Sequence, residues 1–350
     1  MNESKTLKNP SYDFVDLCKF LGSLFVVSIH TEIFKSFSET FNNYYANFPT
    51  RIAVYFFFIA SSYFFFKGII FEDGKIKKCK ENSYKLKKYF VRMSILYIFW
   101  SFIFMISDIP MWYRENCLTI KNFIGFGLSC ITSASHYHLW FLLGLIYTIP
   151  IMYFLLRFIN YKKLIVISCV FYAIGLLYGS YRIIPLPFTN IWDLIYTKWP
   201  RIMSSIFNII PLCGFGIICD KINISNLSIN VITLLSFLLF TVESILLYVY
   251  TPSTASSFCI FTIPTVTFLF ISTKNCKIKV KHNIIFRKLS TLIYCAHPLI
   301  ITIFSIFVDT KSMNRLLYFL CISVLTILFS LVIILLNRKF KKLKFLKYIM

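Results

Sequence analysis

The chain predicts an all-α polytopic membrane helix bundle, and three observations carry that expectation. Of its 350 residues 58% are hydrophobic, with 40 Phe and 22 Tyr, and the mean hydropathy is +0.72, more than a water-exposed globule can accommodate. Apolar runs long enough to cross a hydrocarbon layer of roughly 30 Å recur about ten times. They are too long and too uniformly apolar for barrel strands, which alternate in polarity, so helices are expected.

The spans fall near 14–35, 51–71, 89–110, 137–157, 163–181, 201–219, 228–250, 256–273, 288–308 and 316–337. Residues 1–13 read as a polar cytoplasmic tail, 14–337 as one integral membrane domain and 338–350 as a basic cytoplasmic tail. The first span is too long for a signal-peptide core and lacks a small-residue cleavage pattern after it, so it is expected to stay in the mature protein. With the N-terminus inside, the inner segments hold 27 Lys and Arg and the outer segments 9, Lys19 within the first span completing the 37. That bias predicts both termini in the cytoplasm. It also makes the net charge of +23 chiefly a topology signal, with attraction to anionic membrane lipids as a by-product. The basic residues are divided among loops with no recognition fold between them, so no nucleic-acid partner is expected. The eleven Cys form no C-x-x-C modules and fall mostly within spans, as small apolar residues do; neither a metal site nor a disulfide framework is expected.

Lys19 and His30 are the first candidates for chemistry. Eleven residues at 100° each end about 20° past three full turns, so both side chains project from one helix face, about 16 Å apart along the axis. Ionisable groups in hydrocarbon cost about 2.5 kcal/mol or more each, so this helix should face a polar interior. For Lys19 the plainer reading is a snorkelling lysine, paired with Asp16 one turn away. For His30 it is a structural hydrogen bond to a neighbouring helix.

A family resemblance emerges from several segments in order. FVDLCKFLGSLFVVSIH, 14–30, resembles the opening signature of membrane acyltransferase family 3, an Arg or Lys, ten residues, then His. RIAVYFFFIASSYFF, 51–65, is similar to the family's second-span pattern, with Ser62 where Gly is usual. HYHLWFLLGLIY, 136–147, resembles its His-Leu-Trp-Phe segment. RIMSSIFNIIPLCGFGIICDK, 201–221, is similar to a sixth helix that begins with Arg and ends in a Gly-rich turn. LSTLIYCAHPLI, 289–300, resembles its late Ser-x-x-x-Tyr-x-x-His-Pro segment. The resemblance implies an O-acyltransferase that takes an acyl group, acetyl by family default, from acyl-CoA. The donor is a co-substrate, with no tightly bound cofactor, and the acceptor is a glycan or lipid-linked sugar at the cell membrane.

Acyl transfer to a hydroxyl needs a base, and His has the side-chain pKa nearest neutrality, which points to His30. Lys19, nearer the cytoplasm, would hold donor phosphate. Arg51, at the outer start of the second span, would stabilise charge on the carbonyl oxygen or hold the acceptor, or is a plain interfacial arginine. Arg201 has the same two readings. Ser62, eleven residues after Arg51, would line the donor passage or pack helices. His138 and Trp140 would touch substrate or form an interfacial belt. Ser290, Tyr294 and His297 share one face of the ninth span and would continue the donor passage or bond helix to helix. Glu243, an acid inside the seventh span, would be a buried partner for one of these bases. A transporter of ten spans is the competing class. Transporters favour Gly- or Pro-interrupted spans in matching halves, and the 10 Gly show no such pairing.

Overall fold

A computed structural model describes residues 12–182, 187–251, 258–340 and 346–350. Most of the expected N-terminal tail, the first two residues of the expected span 256–273 and residues 341–345 of the basic tail lie outside the described residues. The chain forms a helical bundle with one two-stranded hairpin. In order, the helices are α1 Asp13–His30, α2 Glu39–Asn47, α3 Arg51–Lys67, α4 Lys80–Arg114, α5 Ile120–Thr132, α6 Trp140–Phe158 and α7 Tyr161–Tyr178. They continue with α8 Thr189–Lys198, α9 Pro200–Ser204, a π-turn Ser205–Ile209, α10 Ile210–Ile218, α11 Asn226–Tyr250, α12 Thr262–Asn275, α13 Asn283–Phe307 and α14 Arg315–Lys339.

Each of the ten expected segments contains a helix, but among the described residues eight helices are long and apolar enough to cross a membrane. Two of the expected ten fall outside that count for physical reasons. Helix α1 carries Asp13, Asp16 and Lys19, and α12 has only 14 residues. The segment 67–92, expected as an inner loop, is largely structured. A hairpin pairs Phe71 with Ile76 and Glu72 with Lys75, turned by Asp73 and Gly74, both at positive φ, as such two-residue turns require. Asn82, 0% exposed, holds the turn by bonding both backbone groups of Ile70 and the carbonyl of Lys77. Helix α4 then starts at Lys80 and runs for 35 residues.

The core lies where α1, α3, α6, α10, α12 and α13 meet. Helices α3 and α10 approach so closely that a Cβ on Gly216 would meet the Ile59 carbonyl at 2.8 Å and Ser62 at 3.0 Å. The small residue that the family pattern has at 62 is thus supplied here from the opposite helix. Helix α1 packs most extensively against α13. Four contacts trace that seam from end to end: Asn283 with Asp13, Arg287 with Asp16, Phe286 with Phe20 and His297 with His30.

Candidate functional site

Four of the five histidines gather at the C-terminal end of α1. The His30 ring stacks on His297 with centroids 5.1 Å apart and lies 4.7 Å from Tyr137. His138 is 5.3 Å from His297, and His136 places Nδ1 3.0 Å from Nδ1 of His138. Carbonyl oxygens only accept, and this fixes the neutral tautomers. Nε2 of His138 donates to the Cys295 carbonyl at 3.1 Å, so its Nδ1 accepts from His136. Nδ1 of His297 donates to the Ile293 carbonyl at 3.0 Å, leaving its Nε2 buried and without a partner among the described residues. His138 and His297 are 2% and 0% exposed. His30 alone of the four is bonded by no described residue at either nitrogen, and its ring is only partly buried.

Lys19 sits on the same helix, towards its other end. It makes no ion pair or hydrogen bond among the described residues, and the charges acting on it are Asp16, Arg287 and Arg92. The expected pairing of Lys19 with Asp16 is corrected. Asp16, 2% exposed, is gripped by Arg287, Nε to Oδ1 at 3.0 Å and Nη2 to Oδ2 at 2.7 Å. A guanidinium matches a carboxylate with two parallel bonds, which an ammonium cannot do. Arg92 donates to the Met350 carbonyl at 3.1 Å, and Ile349 and Met350 are buried, so the last residues of the basic segment lie on the bundle.

Arg51, Trp140 and Arg201 come together on a cavity of about 880 Å³, which Tyr137 and Trp192 also line. Neither His30 nor Lys19 is in its wall; Tyr137 is the ring shared by the cavity and His30. Next to the cavity the helix over 200–218 widens into the π-turn, whose Asn208 lines it, a distortion found often at functional sites. The remaining candidates are closed into helix contacts, as buried hydroxyls must be. Ser62, 0% exposed, donates to the Cys213 carbonyl at 2.5 Å. Ser290 donates to the Arg287 carbonyl at 2.9 Å, and Tyr294 to the carbonyl of His138. All three hydroxyls are therefore engaged by the bundle itself. Pro298 leaves the Tyr294 carbonyl without its helical donor, beside the His297 ring.

Glu243 pairs with no base among the described residues. It accepts from Tyr181 and from the backbone N–H groups of Ile260 and Phe261 at 2.7 and 3.0 Å, capping the chain where it enters α12. Sequence reasoning missed Tyr137 as the ring between cavity and His30, and Trp192 on α8. It also missed Arg287, which was counted only among the inner charges. An aromatic next to two histidines was the one signal available for Tyr137.

A helical bundle with an apolar outside, with imidazoles at one end of α1 and Lys19 towards the other, has the character of a multi-pass membrane protein. The chain belongs to acyltransferase family 3: the family's acyltransferase domain matches residues 12–335. Two proteins of Enterococcus faecalis, each named amino-acid racemase, are similar to it. One is 28% identical over 174 residues, 50% of this chain and 23% of that protein. The other is 25% identical over 340 residues, 93% of this chain and 46% of that protein. The chain thus spans less than half the length of these curated relatives. No solved structure matches it.

Proposed function

We propose that this chain is a membrane-embedded O-acyltransferase. It moves an acyl group, acetyl by family default, from cytoplasmic acyl-CoA to a hydroxyl of an extracytoplasmic or lipid-linked glycan at the cell membrane, with both termini inside. The observation that carries this reading is the His30 ring, part-exposed and uncommitted at both nitrogens among three imidazoles that the bundle holds or buries. A general base needs a free lone pair and access to a proton.

In the reaction, His30 takes the proton of the acceptor hydroxyl as its oxygen bonds to the thioester carbonyl carbon. The tetrahedral intermediate then collapses, the carbon–sulfur bond breaks, and the departing CoA thiolate takes the proton back from the imidazolium. Arg51, one of the charges acting on His30, holds the acceptor beside the imidazole. Lys19, with no carboxylate partner among the described residues, holds donor phosphate about 16 Å away along α1, so the carrier stays inside while its acyl end reaches the imidazole.

Mass spectrometry of envelope glycans tests the reading. Cells with the wild-type chain should carry an ester that is lost on deletion and in His30→Ala. A wild-type ester level with His30→Ala, at equal protein abundance, contradicts it.

A further inference from the structure

The charges of the 880 Å³ cavity do not cancel. Its wall holds three cations, Arg51, Arg182 and Arg201, and one acid, Asp193. Arg182 and Asp193 neutralise each other through two parallel bonds of 2.9 and 2.5 Å. Arg51 and Arg201 have no carboxylate partner among the described residues. Arg51 donates from Nε to the Ala46 carbonyl at 3.2 Å. Arg201 donates from Nε and Nη2 to the Ser133 carbonyl at 3.3 and 3.0 Å and lies over Trp140 at 5.2 Å. A guanidinium has five N–H donors, so each arginine keeps a two-pronged edge that no described group takes.

The rest of the wall is largely aromatic. Trp192 is stacked on Tyr178 at 4.5 Å and 20°, which holds a large flat ring at the cavity. Such rings offer apolar faces and polar edges together, the combination that a sugar, with its C–H faces and hydroxyl rim, requires. The volume lies within the range of about 300–1,000 Å³ usual for small-molecule sites. Tyr137 joins this wall directly to His30.

We propose that this cavity is the acceptor chamber and that the acceptor is a carbohydrate bearing an anionic group, carboxylate or phosphate, bound by Arg51 and Arg201, with a sugar ring against Trp192. A neutral sugar would leave two partly desolvated guanidiniums uncompensated, whereas an oxyanion satisfies their open edges. The inference rests on the acyl-transfer reading and names its acceptor class.

Saturation-transfer NMR on the full chain in lipid nanodiscs, without acyl-CoA, tests it with three probes: glucuronate, glucose 1-phosphate and glucose. At least one anionic sugar should bind about tenfold or more better than glucose, the margin of a single charge-assisted contact. That margin should shrink with added salt and vanish in Arg51→Gln and Arg201→Gln. Preference for glucuronate assigns a carboxylate, and preference for glucose 1-phosphate assigns a phosphate. Equal binding of glucose, binding of neither anionic sugar, or unchanged binding in both arginine variants overturns the proposal. Wild-type selectivity and salt dependence need no variant to fold. Anionic-sugar binding with an envelope ester indifferent to His30→Ala would refute the transfer chemistry alone; a lost ester without the anionic preference would refute this inference alone.

Discussion

Helix α14 has a mean hydropathy of 3.1 over its most apolar window, only 28% of which is buried. Its Thr326 and Ser330 hydroxyls turn back onto carbonyls of their own helix. Helix α1 is the opposite. It carries Asp13, Asp16 and Lys19 in 18 residues, is not among the eight helices apolar enough to cross a membrane unaided, and is pinned along α13 by polar and aromatic contacts. An apolar helix is held by lipid as readily as by protein, but a buried carboxylate is costly unless a partner satisfies it, as Arg287 does for Asp16. The helix with buried charge therefore carries the candidate chemistry, and the most apolar helix carries none of it.

That contrast can be broken by mutation. Arg287→Ala removes the partner of the buried Asp16 carboxylate but, because the Arg287 side chain is itself half exposed, should cost about 1–3 kcal/mol, while Leu328→Ala on the exposed face of α14 should cost less. Thermal unfolding in detergent measures both, and Asp16→Asn combined with Arg287→Ala should recover part of the loss. Equal costs for Arg287→Ala and Leu328→Ala would erase the distinction between the two helices.

A smaller effect sharpens the contrast at the imidazole end. His136, in the loop before α6, is pushed by burial from 6.5 to about 4. Between those values the unfolded chain binds a proton that the folded site refuses, so stability falls as pH drops from about 6.5 towards 4, and the effect is absent above that window. His136→Gln should flatten the dependence of the unfolding midpoint over the same range. An unchanged slope would mean that the imidazole is not held neutral by its surroundings.

Much of the bundle was legible because its signals are local. Helices fall within all ten expected apolar segments, and Lys19 and His30 share α1 as their spacing demanded. What was not legible depended on partners distant in the chain. Arg287 is one of six Lys and Arg between 274 and 288, and nothing local marks it as the one that meets Asp16, 271 residues away. Glu243 answers two backbone N–H groups, which leave no trace in a sequence. Ser62, Ser290 and Tyr294 look like lining from their spacing, yet a polar stripe on a helix fits a passage and a helix contact equally well. The π-turn at 205–209 and helices α2, α5 and α8 break or add to spans that composition alone draws as continuous runs and loops.

The division of labour along α1 is best tested by transfer of radiolabelled acetyl from acetyl-CoA, supplied to the cytoplasmic face of membrane vesicles, to the glycan they carry. His30→Ala should lower turnover about 10²–10⁴-fold, the usual worth of a general base, with KM for acetyl-CoA unchanged. Lys19→Ala should instead raise that KM about 10–100-fold, the worth of a lost charged hydrogen bond. Wild-type turnover in His30→Ala, or a Lys19→Ala variant indifferent to donor concentration, would contradict the account.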